Sequence, residues 1–215
     1  MKIPKIIHQV WIGDKQPPLR WMQTWKDKHP DWQYILWDNK KIKELDIINK
    51  KQFEMYWNQK RWHGVADVLR YEILYKYGGF MPGADTECQR PLDELFENDF
   101  ELYSVVNDCG QFNDPVDLTF KNANVPPLYA STPNHPFVKI LIDEVGKIKR
   151  PRKPWIVTGN MLMKRMILEH RPKIKIWPSF YLLPEYQTGE KYQGEFKPYS
   201  FHHWGTTRKC YDKGI

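Results

Sequence analysis

Cysteine is scarce in this 215-residue chain, with only Cys88, Cys109 and Cys210. The three have no metal-type spacing and cannot all pair within the chain, which favours a reducing compartment. No stretch approaches the roughly 20 apolar residues of a membrane span. Met1 leads directly into a strand, with no charged leader and apolar run of signal-peptide type. A soluble, cytoplasmic chain is therefore expected. Internal repeats, low-complexity stretches and domain-sized linkers are also missing, so residues 1–215 read as one compact domain with a substantial core. The lysines (Lys40, Lys41, Lys50, Lys51, Lys147, Lys149) are scattered, without the aromatic–basic alternation of a single-strand groove. That argues against nucleic acid as a partner.

Aromatic residues, by contrast, make up 15% of the chain, ten of them tryptophans. Most must pack the core, and the surplus suits a site that stacks flat rings or sugar faces. The formal net charge of +7 suits anionic ligands or peripheral contact with an anionic membrane.

The stretch WHGVADVLRYEILYKYGGFMPGADTEC, residues 62–88, organises the rest. Val65, Leu69 and Ile73 fall at helical spacing, widened by Ala66 and Val68. Asp67 and Arg70 lie three apart and share one side of that helix. Gly78 and Gly79 end it, because glycine takes the positive φ that a helix stop needs. Phe80 and Met81 form a short strand, and Asp85 and Glu87 follow where it emerges. The helix thus aims a carboxylate and a guanidinium at a loop carrying more carboxylates. Asp85 and Glu87 alternate along an extended segment and face the same way.

Upstream, KIIHQVWI at 5–12 reads as a buried first strand with Trp11 at its end, and His8 as a satisfied core histidine. Residues 19–28 form an amphipathic helix whose Trp21 and Trp25 are core contacts. A second strand, Tyr34 to Trp37, ends at Asp38. Ligands of open α/β sheets gather at such strand ends, so Asp38 either contacts a ligand or caps the segment after it. A polar-aromatic helix spans Asn49 to Gln59. Downstream come a strand at 101–107, a long loop at 108–127, and a helix opened by Pro136. Arg150 to Pro154 is a stiff basic connector, and Thr158 is the expected N-cap of the next helix. IKIWP and FYLLP read as short strands, and 187–197 as a polar loop. In SFHHWG, 200–205, His202 and Trp204 face one side of a strand and His203 the other.

VADVLRYEILYKYGG, the acidic loop and RPLDELF together resemble glycosyltransferase family 32, the DXD-containing sugar transferases. IPKIIHQVWIG at 3–13, HPDWQYILWD at 29–38, STPNHPF at 131–137 and FHHWG at 201–205 look like the family's other landmarks, in order. The resemblance covers nearly the whole chain. It implies a glycosyltransferase-A type fold, a Rossmann-like mixed α/β sheet that binds a nucleotide-sugar at its strand ends.

The resemblance further implies a retaining, hexosyltransferase-like enzyme. It would move sugar from a UDP- or GDP-linked donor to a glycan or other hydroxyl, with Mn²⁺ or Mg²⁺ as cofactor. Trp11 would receive the base and Asp38 the base or ribose. Asp67 would hold donor sugar hydroxyls and Arg70 phosphate or sugar oxygens. Asp85 and His202 would meet the metal, with His203 the fallback for His202 and Trp204 beside it. One position departs from the pattern. Where the family has Asp-x-Asp, this chain has Gly83, Ala84 and Asp85, so Gly83 lines the site without a carboxylate. That departure keeps two alternatives in view: a non-catalytic nucleotide-sugar or glycan-binding module, and a donor hydrolase.

Overall fold

The computed structural model describes residues 2–119 and 123–214. Fifteen regular elements alternate along it: β1 (Ile6–Val10), α1 (Leu19–Lys28), β2 (Gln33–Trp37), α2 (Lys50–Trp57), α3 (Trp62–Tyr77), β3 (Gly79–Phe80), β4 (Thr86–Cys88), β5 (Leu102–Val105), β6 (Ala130–Ser131), α4 (Pro136–Gly146), α5 (Pro154–Val157), α6 (Asn160–His170), β7 (Lys175–Trp177), β8 (Ser200–His202) and α7 (Gly205–Arg208). Six strands form one mixed sheet in the order β2-β1-β3-β6-β5-β7. β1 runs parallel to β2 and β3, β6 is antiparallel to both its neighbours, and β7 is parallel to β5. β4 and β8 form a separate antiparallel pair. The expected mixed α/β architecture is what the chain adopts.

The sheet is buried on both faces, as a parallel-rich sheet must be. On one face α3, α4 and α6 cover a core that includes Val68, Leu69, Leu141 and Met163. On the other, Trp25 from α1 packs with Phe80, Phe96, Tyr103 and Trp177. α3 is the central helix. Its stripe Val65, Leu69 and Ile73 is buried, and so are Tyr71 and Leu74, so it is enclosed on more than one side. Glu72, buried on the same helix, accepts the amides of Ile48 (3.1 Å) and Asn49 (2.9 Å) and so fixes the start of α2.

Gly78 and Gly79 turn α3 into β3 with φ of 65° and 93°. A Cβ on Gly79 would stand 2.6 Å from the Ile6 carbonyl oxygen, so the helix-to-strand turn and its approach to β1 both require glycine. His8 bonds the Gly78 carbonyl through Nε2 (2.9 Å) and accepts the Trp37 indole N–H at Nδ1 (3.1 Å). It is the satisfied core histidine expected, and burial holds its pKa near 4.

Several local expectations differ from the structure. Ser179–Tyr181 is a 3-10 turn, so FYLLP supplies no strand. α6 is entered through Gly159 at its N-cap position, which has no side chain to cap it, and the Thr158 hydroxyl turns to Asp67 instead. The basic connector runs straight into α5 through Pro154. Part of the 108–127 loop, residues 120–122, lies outside the described residues, as does Met1.

Gly79→Ala should lower the unfolding free energy by about 2 kcal/mol or more, combining a left-handed φ with a backbone contact. Denaturant titration would show it as a lower midpoint. An unchanged midpoint would mean that the α3–β3 junction is not under this constraint.

Candidate active site

The segment after β3 is pinned by its carbonyls. The Arg70 guanidinium donates through Nη1 to the carbonyls of Met81 and of Leu128, the latter at 3.1 Å. Gln9, a buried polar side chain in β1, donates to the Gly83 carbonyl (2.9 Å) while accepting the Tyr34 hydroxyl (2.7 Å). The Thr86 hydroxyl also reaches the Gly83 carbonyl, at 2.6 Å. The loop is therefore held from α3, from β1 and from its own far end. Arg70, read from sequence as a ligand for phosphate or sugar, has Nη1 committed to backbone, and no hydrogen bond from Nε or Nη2 is found among the described residues.

Asp85 ends this loop and meets the C-terminal segment. β4 pairs with β8 so that Thr86 stands opposite His202 and Glu87 opposite Phe201. Asp85 Oδ2 accepts the Gly205 amide (2.9 Å), and its backbone carbonyl accepts the His203 amide (2.9 Å). Oδ1 lies 3.5 Å from His202 Nε2. The Trp204 amide donates to His202 Nδ1 (2.9 Å), and the two rings lie 4.2 Å apart. Burial keeps the His202 pKa below its usual range, against the pull of Asp85. A neutral imidazole that accepts at Nδ1 carries its proton on Nε2. That nitrogen, the one expected at the metal, faces Asp85 Oδ1 at 3.5 Å.

His203 turns the other way. Its Nε2 lies 3.1 Å from Glu87, and its ring stacks on Trp21 at 3.9 Å. Asp85 and Glu87, which the sequence puts on the same side of an extended segment, thus face different histidines. Trp204 anchors its indole on the Glu185 carbonyl (2.8 Å).

Asp67 sits further along the same helix face as Arg70. The Thr158 hydroxyl donates to its Oδ2 (2.8 Å), and the buried Tyr71 hydroxyl donates to the Thr158 carbonyl (2.7 Å). Asp67 lines a cavity of about 510 Å³ together with Lys60, Arg61, Trp62, Trp155 and Asn160. A slightly larger cavity, about 540 Å³, opens beside β7 and is lined by none of the candidate residues. We place the site at the former because the partly buried Asp67 carboxylate lines it. Tyr129 links the two halves: burial raises its pKa to about 12, the Arg70 charge lowers it and the Asp85 charge raises it.

At the sheet edge, the Trp11 indole donates to the Lys15 carbonyl (2.7 Å), and its ring meets Tyr211 edge-on at 4.9 Å. Asn39 exchanges two hydrogen bonds with the Gly13 backbone and ties the ends of β1 and β2 together. Asp38 accepts the amides of Lys40 (2.9 Å) and Lys41 (2.7 Å) through Oδ1. Of its two readings, the structure shows the cap.

Gln9, Tyr129, Thr158 and Tyr211 are members of this site that sequence reasoning did not assign to it. Only Gln9 had a signal, a polar side chain beside His8 in a mostly apolar strand.

Among the described residues no three His, Cys, Asp or Glu side chains converge on one point. The donor set for a divalent cation is one Asp85 carboxylate, half occupied by the Gly205 amide. Such a set fits a hard cation only when a substrate diphosphate supplies further oxygens.

Burial pushes the Asp67 carboxyl up to about 6 from 3.8, while the Thr158 hydroxyl and the Arg70 charge pull it down. The folded state therefore binds the proton more tightly than the unfolded chain. That stabilisation is complete below about pH 4 and is lost as pH rises through about 6, a cost on the order of 2–3 kcal/mol at neutral pH. Asp67→Asn should raise the unfolding free energy by about 2 kcal/mol at neutral pH and far less near pH 4. Denaturant midpoints at the two pH values check this; no gain at neutral pH would remove the buried-carboxylate account.

Residues 19–101 match the family described as a glycosyltransferase sugar-binding region containing a DXD motif. The chain is 32% identical over 153 residues to inositol phosphoceramide mannosyltransferase 1 of Schizosaccharomyces pombe, covering 68% of this chain and 44% of that protein. It spans half or less of the length of the curated relatives it matches. Among solved structures, the PaToxG glycosyltransferase superimposes with a TM-score of 0.58 at 16% identity, over 78% of this chain and 70% of that one. The UDP-bound glycosyltransferase domain of the YGT toxin gives 0.56 at 10% identity, over 82% and 80%. These likenesses establish the glycosyltransferase-A type fold, and DXD-type transferases in general depend on a divalent metal. The matched region runs from α1 to the segment before β5 and contains α3 and the loop after β3, so residues 19–101 belong to the DXD-containing sugar-binding family of glycosyltransferases.

Proposed function

We propose that the chain transfers a hexose from a UDP- or GDP-linked donor to a hydroxyl of a glycan or of a lipid-linked headgroup, with retention at the anomeric carbon. The observation that carries this reading is the pinned loop, which presents Asp85 beside His202 while Asp67 and Arg70 stand on the adjoining helix face. The donor C1–O bond breaks, and the diphosphate leaves with the electron pair. The acceptor oxygen bonds to C1, and its proton goes to the leaving diphosphate. A divalent cation, Mn²⁺ or Mg²⁺, held by Asp85 and the diphosphate, would supply Lewis-acid neutralisation of the charge that develops there.

The remaining roles belong to the chain's own side chains. Asp67, fixed by Thr158, accepts hydrogen bonds from donor sugar hydroxyls. Arg70 uses Nε and Nη2 for phosphate or sugar oxygens, where a planar, permanent charge binds well. His202 donates from Nε2 to a diphosphate oxygen, with Trp204 holding its tautomer. Trp11 and Tyr211 offer aromatic surface to the base at the ends of β1 and β2. The relatives' names point to an inositol phosphoceramide type of acceptor, which motivates the lipid-linked headgroup. Cys88, Cys109 and Cys210 are free cysteines. No described helix is long and apolar enough to cross a membrane.

Gly83 favours a second reading, a module that binds nucleotide-sugar without turning it over. Release of UDP or GDP from a donor panel, with and without acceptor sugars, separates the readings: release only with acceptor supports transfer, and binding without release supports the module.

The metal offers a sharper test. A Cβ on Gly83 would lie 3.1 Å from Asp85 Oδ1 and 3.8 Å from His202 Nε2. Gly83 is not among the glycines of positive φ, so aspartate is compatible with the backbone there. Calorimetry should find Mn²⁺ binding weak in the free protein, at about 10⁻³ M or weaker, and much tighter once UDP or GDP is present. Asp85→Ala should remove the nucleotide-linked gain, and Gly83→Asp should tighten binding to the free protein at least about tenfold. Tight binding to the free protein that survives Asp85→Ala would place the cation elsewhere.

A further inference from the structure

The mouth of the Asp67 cavity has a composition that sugar transfer alone does not require. No acidic residue occurs between Glu144 and Glu169, an interval that contains Lys147, Lys149, Arg150, Arg152, Lys153, Lys164 and Arg165. Lys149, Arg150, Arg152 and Lys153 are exposed and make no ion pair among the described residues. Directly after them stand three large apolar side chains left in solvent: Trp155 at 54% exposure, Ile156 at 42% and Met161 at 38%. Trp155 itself lines the cavity, with Lys60 and Arg61 among the residues across from it. The Arg61 guanidinium donates to the Arg152 carbonyl (3.2 Å), so the two rims are fastened together. Prolines 151 and 154 stiffen the connector between cations and apolar tips.

Exposed apolar side chains of this size are costly unless something covers them. A tryptophan beside aliphatic tips, ringed by uncompensated cations, matches the boundary of an anionic bilayer. There indoles settle at headgroup level, aliphatic groups enter the acyl edge, and each basic residue gains roughly 1 kcal/mol from the surface potential. A nucleic acid would use the charges and the indole but leave Ile156 and Met161 in water. We propose that residues 149–161 form a membrane-docking rim that seats the chain on an anionic lipid surface and brings headgroups to the cavity that holds Asp67. This rests on the lipid-linked acceptor proposed above and adds the surface that would deliver it.

The test is co-sedimentation of the full chain with vesicles of phosphatidylcholine alone or of phosphatidylcholine with phosphatidylinositol. The partition needs no donor, so it stands or falls independently of nucleotide binding and turnover. Binding is expected only to the anionic vesicles and should weaken with added NaCl. Arg150→Gln with Arg152→Gln should cut the partition about 25-fold, at about fivefold per charge. Ile156→Ser should cut it at least about tenfold. Thermal unfolding and binding of UDP or GDP by the double arginine variant should be unchanged, which separates docking from folding. Equal binding to neutral vesicles, or full binding by both variants, would overturn the proposal. So would retention of inositol monophosphate as strong as that of vesicles and unaffected by Ile156→Ser, since that result describes a free-phosphate site.

Discussion

The attachment of Arg70 to the carbonyls of Met81 and Leu128 is the constraint on which the site depends. A guanidinium that binds backbone oxygen fixes where a loop runs whatever side chains the loop carries. Here it joins the central helix to the strand exit and to the segment before β6, both built from short strands with few ladder bonds of their own. Gln9 repeats the device from β1 at the Gly83 carbonyl. Asp85 is consequently presented by a rigid frame, and a charge-bearing group held in this way needs no reorganisation when ligand arrives.

The sequence made the local parts of this arrangement legible. Helical spacing placed Val65, Leu69 and Ile73 on a buried stripe of α3, two glycines marked its end, and residues 19–28 were an amphipathic helix with the same bounds as α1. Asp67 and Arg70 on one face followed from a spacing of three. Partners set by tertiary structure could not be read. A threonine before a helix looks like a cap, and only the folded chain shows the Thr158 hydroxyl turned to Asp67. The partners of Arg70 are carbonyls, which every residue has, so nothing in the sequence singles out Met81 or Leu128. The alternation of His202 and His203 was legible, but their different fates depend on Trp21 and Glu87, which lie on other elements. FYLLP failed as a strand because an apolar run of that length also suits a buried turn.

Gly83 and the protonated Nε2 of His202 leave the protein with little of its own to hold a cation. The same two features leave space and a hydrogen-bond donor beside Asp85, where a diphosphate would otherwise meet a second carboxylate. Under the proposed function such a site would couple metal and nucleotide: each would supply part of the other's binding surface, so each should raise the other's affinity by the same factor.

The C-terminal segment supplies the Gly205 amide to Asp85, across a separation of 120 residues, and packs Tyr211 against Trp11 from β1. Contacts that distant in the chain close large loops, and their entropy cost falls before their enthalpy is recovered. The central helix and its flanking strands can assemble from contacts much nearer in sequence. Folding of this chain is thus expected to order the scaffold first and the anion-facing wall of the site last. Local opening of residues 200–214 would then expose Asp85 and the Trp11 ring together, without disturbing the core beneath them.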